Sequence, residues 1–311
     1  MTRRPVDPAR LLRWYPPAWR ARYGDELVAL MEEGAEGGPT ARVRASVAWA
    51  GLRERGHAAG YFGDGPAPDR LRGGSLVVLG AWTAFVVAGA AYAKLSEHFD
   101  RALPVSARRW PQGAYDAVVV LAVAGAAIVV VGLAAALPAF VRYLRTDGWG
   151  PLRRPLATAG TLTAVAVGAT APLLAWAHHL TAGQRNGGNG LYGGAFLAYG
   201  LLGAAVLAQW TMVAVAAATR LRWPPRVLRF EAGLAVALAG VMVSITAATA
   251  VWWGAMAADA PWFLSGTAPG TAPSPLTPIV VGTMAFMVAA SAVAGIGVHR
   301  IRRARFDLHP T

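Results

Sequence analysis

The chain has 311 residues, 55% of them hydrophobic and only 14% charged, a balance far from that of soluble domains. It contains no cysteine, which excludes disulfides, Cys-ligated metal or iron-sulfur sites and thiol nucleophiles. The net charge of +13 comes from 28 Arg and a single Lys spread in clusters between apolar runs, so it fits membrane topology rather than a face for direct nucleic-acid binding.

The first 60 residues read as a soluble appendage. Nine of the 16 acidic residues precede residue 75, beside 12 Arg. Asp7-Pro8 supplies a helix start, an N-cap with proline at the first helical position. Pro16-Pro17 closes that short helix and opens a second. Trp19, Tyr23, Leu27 and Leu30 then fall at i, i+4, i+8 and i+11, one apolar stripe. Gly24 inside it costs about 1 kcal/mol against alanine, so it marks a break or a close backbone contact. Gly37-Gly38-Pro39 turns the chain into a third helix, capped by Thr40 and striped by Val43, Val47 and Ala50. Residues 1–60 are therefore expected to form a three-helix module, and the Gly/Pro-rich residues 61–74 a tether. So small a module buries little surface and needs a partner, the membrane surface or another copy to lean on.

Crossing a hydrocarbon core of about 30 Å takes roughly 20 apolar residues in a helix. Six segments reach that length: Ser75 to Leu95, Ala114 to Phe140, Leu156 to Ala177, Leu191 to Thr219, Ala232 to Trp253 and Pro278 to Val298. The runs are too long and too uniformly apolar for barrel strands. The expected fold is all-α, a six-helix transmembrane bundle over residues 75–299 with a small N-terminal cytoplasmic helical module and a basic tail at 300–311. No secretory signal peptide precedes the first span, which itself is expected to direct insertion. Alternate loops hold 24 of the 28 Arg on one side, which places both termini in the cytoplasm of a cell membrane. Trp176, Trp252 and Trp253 fall at the outer span ends, and Trp149 and Trp223 in inner loops.

Small residues spaced by four, Gly194 and Ala198, Gly200 and Ala204, Gly240 and Ser244, Ser291 and Gly295, are expected at helix contacts. The repeated Gly-Thr-Ala-Pro of 266–273 is expected to be an extended outer loop. Lys94, Asp116 and Glu231 lie near span ends and read as interfacial anchors. Gln209, Thr211, Ser244, Thr246 and Thr249 fit a polar path or hydrogen bonds between helices. His178-His179 point about 100° apart on a helix and form no metal clamp. No phosphate loop, nucleophile elbow, zinc-protease helix or dinucleotide fingerprint occurs, so neither an enzyme nor a cofactor is expected.

The stretch Leu11-Leu12-Arg13-Trp14-Tyr15-Pro16-Pro17-Ala18-Trp19-Arg20-Ala21-Arg22-Tyr23-Gly24-Asp25-Glu26-Leu27 resembles a short N-terminal module that precedes transmembrane segments in many bacterial membrane proteins. It is similar to prefixes on some permeases and to the cytoplasmic heads of certain actinobacterial membrane-bound anti-sigma factors. The motif positions are Tyr15, Pro16, Trp19, Arg20, Arg22, Tyr23, Gly24 and Glu26, and the zinc-binding His and Cys pattern of a separate anti-sigma class is missing. The resemblance implies a helical head for protein contact above a membrane anchor. Trp14, Tyr15, Arg20, Arg22 and Glu26 are the expected partner-binding residues. Signalling through a cytosolic sigma factor or transcription regulator is the leading expectation, a permease-like transport component the alternative. The bilayer is a partner on either reading, and a homo-oligomer is compatible with both.

Overall fold

A computed structural model describes residues 8–33, 40–58, 66–181, 184, 189–221, 223–265 and 278–308. Among these residues there is no strand. A 3-10 helix over Pro8–Trp14 leads into α1 (Pro17–Glu33) and α2 (Ala41–Ala58). The chain continues through α3 (Ala67–Leu95), the short α4 (Phe99–Ala102), α5 (Arg109–Tyr143), α6 (Trp149–His178), α7 (Gly190–Ala218), α8 (Pro225–Asp259), the short α9 (Pro261–Ser265) and α10 (Pro278–Leu308). Six of these helices, α3, α5, α6, α7, α8 and α10, are long and apolar enough to cross a membrane. The protein is thus an all-α multi-pass membrane protein with a small helical module at its N-terminus. Asp7, the Gly37-Gly38-Pro39 turn and the repeat of 266–273 lie outside the described residues.

Each predicted span lies within a helix apart from the end of one, Thr219, which caps α7, and most of the helices run longer. The first begins at Ala67, inside the stretch read as a tether. Packing is the cause. Pro68 occupies the first turn, where its missing N–H costs nothing, and Leu71, Gly73 and Gly74 are buried. The last helix likewise continues to Leu308, through most of the stretch read as a tail, with Ile301 and Ala304 buried. Between α5 and α6 a single π turn, Leu144–Gly148, replaces a loop. A Cβ on Gly148 would stand 2.5 Å from the ring of Tyr143, so only glycine fits there.

The core of the bundle is formed by α3, α5, α8 and α10. The pair α3 and α10 meets backbone to backbone: a Cβ on Gly297 would lie 2.7 Å from the Gly74 carbonyl oxygen, and one on Gly74 2.7 Å from the Gly297 carbonyl oxygen. On α5, a Cβ at Gly125 would collide with the indole of Trp82. These close approaches differ from the small-residue pairs expected at helix contacts. At Gly194, Gly200, Gly240 and Gly295 a Cβ would meet nothing within 4 Å. Spacing by four marks a contact only where a facing helix comes close, and in a chain with 36 Gly the spacing recurs on lipid-facing sides as well.

Helices α6 and α7 form a hairpin against this core, joined by Thr170 Oγ1 and Tyr199 Oη at 2.8 Å, by Trp210 Nε1 donating to Thr163 Oγ1 at 3.0 Å, and by Gln209 Nε2 donating to the Pro155 carbonyl at 3.3 Å. Thr83 and Thr211 hydroxyls at 2.6 Å tie α7 to α3. Thr246 and Ser291 hydroxyls at 3.2 Å tie α8 to α10. Gln209, Thr211 and Thr246 therefore bond between helices, while Ser244 is exposed and Thr249 is buried. In lipid such bonds replace water, which cannot satisfy these groups.

Candidate functional site

Two places in the molecule carry chemistry beyond packing, and the first is the head. Tyr15 is 4% exposed and its ring stacks on Trp19 with centroids 4.0 Å apart. Burial, with the Glu54 carboxylate adding to it, pushes the Tyr15 hydroxyl above its ordinary range, so it stays neutral. Trp19 in turn lies 5.4 Å from Tyr23. Helix α1 runs unbroken through Gly24, where a Cβ would make an ordinary contact 3.4 Å from Leu12 Cδ1, so the glycine marks no break. The 3-10 helix thereby shifts the buried face of α1 to Gly24 and Met31, and it leaves Leu30, at the end of the expected stripe, 60% exposed. On α2, Gly51 sits against Trp14: its Cβ would lie 2.7 Å from Trp14 Cβ. Arg55 donates to the Arg13 carbonyl across the same junction.

This placement divides the expected partner-binding residues. Tyr15 belongs to the head's core and offers no contact surface, because its ring is covered by Trp19 and α2. Trp14 is half-buried at the α2 junction. Arg20, Arg22 and Glu26 are exposed. Residues two apart on a helix point about 200° apart, so Arg20 and Arg22 cannot share one face, whereas Arg22 and Glu26 do.

A more continuous surface lies on α2. Ala45, Trp49 and Leu52 fall at i, i+4 and i+7 and are all exposed, Trp49 at 72%. Arg42 and Arg53 are exposed on the same side. Sequence reasoning placed the third helix's stripe at Val43, Val47 and Ala50 and passed over this one. The spacing of Ala45, Trp49 and Leu52 was the available signal, together with Gly51 marking the opposite, covered side.

The second place is a half-open cavity of about 490 Å³ between α3, α5, α7 and α8, at the end of the bundle that carries the Arg-rich loops. Its wall is almost wholly apolar, with Ile128, Leu137, Val213 and Leu234 among its lining. Two charged side chains reach it, Arg72 and Glu231. Arg72 is ion-paired with Asp69 at 2.9 Å. Glu231 has its Oε1 shielded without a hydrogen-bond partner, and its Oε2 packs where a Cβ on Gly132 would stand, 3.0 Å away. Glu231 is the seventh residue of α8, about 9 Å along its axis, and its side chain turns towards α5. Lys94 and Asp116 differ from it. Lys94 pairs with Glu97 and lies 5.5 Å over the Phe196 ring, and Asp116 is exposed and accepts from Gln112 Nε2 at 2.9 Å.

His178 and His179 are both exposed at the end of α6. Among the described residues no group of three or more His, Asp or Glu side chains converges for a metal ion. Compared with known proteins, the chain matches no family model, no curated protein and no solved structure.

Proposed function

We propose that this is a regulatory protein of a bacterial cytoplasmic membrane, held by its six helices with both termini in the cytoplasm, whose head docks a soluble partner of the sigma-factor or transcription-regulator class. The observation that carries the reading is the uncovered strip of Ala45, Trp49 and Leu52 with Arg42 and Arg53 beside it. An exposed tryptophan flanked by arginines is the composition of an interface centre, and its charge calls for an apolar groove with an acidic rim. The resemblance of residues 11–27 to anti-sigma heads supplies the partner class. Because α2 carries this strip, the copurification of a stoichiometric acidic regulator with the full-length protein should be lost in a Trp49→Ala, Arg53→Ala double variant. It should persist in Arg22→Ala. Equal recovery from both variants would refute docking through α2.

The orientation rests on the 24 Arg gathered on one side. Since the chain has no cysteine, single cysteines give a clean readout. In intact cells, cysteines replacing the exposed Ser106 and Thr181 should react with an impermeant maleimide, and those replacing Arg145 and Arg303 should not. Labelling at position 303 would invert the orientation. A permease-like component is the second reading, and the apolar cavity with its inward carboxylate is what favours it.

A further inference from the structure

We infer that the cavity between α3, α5, α7 and α8 is a binding site for a small lipophilic cation, an apolar body with a permanent positive charge that Glu231 recognises. The cavity's volume of about 490 Å³ falls in the range of small-molecule sites, roughly 300–1,000 Å³. Its apolar wall selects a greasy ligand, and the charged groups at its edge select the sign. Arg72 already has a counter-ion in Asp69. No ion pair of Glu231 is present among the described residues, and one of its oxygens is shielded with no donor. A carboxylate held in apolar surroundings without a donor is costly, and a cation entering the cavity removes that cost while burying its own apolar surface. A neutral ligand would leave the carboxylate unpaired, and an anion would be repelled by it.

The proposal is independent of the head and its partner. It is tested with two ions of the same shape and opposite charge, tetraphenylphosphonium and tetraphenylborate, on the full-length protein in phosphatidylcholine nanodiscs. Saturable one-site uptake of the phosphonium is expected, at least tenfold weaker in Glu231→Gln, with no saturable uptake of the borate. Ala136→Phe, which narrows the cavity without touching the carboxylate, should weaken phosphonium uptake as well. Trp49→Ala should leave it unchanged, so that a failed docking experiment and a failed cavity are separable. If Glu231→Gln does not fold, the preference of the native protein for the phosphonium and its loss in Ala136→Phe decide the question. Equal uptake of both ions, or undiminished uptake by a folded Glu231→Gln protein, would overturn the proposal. Displacement of the probe by phosphatidylethanolamine added to the discs would overturn it too, by assigning the cavity to a bilayer lipid.

Discussion

Replacing Gly297 with leucine should separate α10 from α3 and lower the stability of the bundle by about 3 kcal/mol, the upper part of the range for overpacked cores. The added side chain would begin 2.7 Å from the Gly74 carbonyl oxygen and 2.8 Å from Val78 Cγ2. A backbone oxygen cannot rotate away as the end of a flexible side chain can, so the helices themselves must part. Gly254→Ala is the matched control, because a Cβ there meets nothing within 4 Å and alanine favours the helix. Thermal unfolding of the two purified variants in one detergent should show a large fall for the first and no loss for the second. Equal midpoints would mean that α3 and α10 do not meet at these glycines.

The head should be equally sensitive at a single position. Gly51→Val would place a branched side chain 2.7 Å from Trp14 Cβ and 2.9 Å from the Trp14 carbonyl carbon. Relief requires α2 to leave the 3-10 helix and uncover Tyr15. Overpacking costs about 1–3 kcal/mol, which is most of what so small a module has. Limited proteolysis of the full-length protein in membranes should then cut α2 many times faster than in the native protein, while the bundle stays intact. Ala50→Val, at an exposed position of α2, should change the rate little.

The architecture was legible because a membrane imposes one length and one polarity on every span, and six apolar runs met both. The ends were less legible. Leu71 to Gly74 read as a linker by composition, yet α10 lies against them, and only a tertiary neighbour turns two glycines from flexibility into packing. The same limit explains the missed contacts: Gly125 is recognisable only once Trp82 is known to face it. In the head, the motif residues were visible but their roles were not. Tyr15 and Trp14 are ordinary interface residues by type, and what removes Tyr15 from the surface is α2, whose Gly51 fits against both. Glu231 was read as an anchor from its distance to the span end. Its direction around α8, towards Gly132, leaves no mark in a linear sequence.

Docking through the exposed face of α2 is tested most directly by a photoreactive amino acid placed at position 45, beside Trp49, of the full-length protein in its native membrane. Crosslinking should yield one discrete adduct with a soluble transcription regulator, and the same probe at position 26, on α1, should yield none. Adducts with lipid alone at position 45 would mean that this face rests on the membrane surface, and they would contradict the docking function.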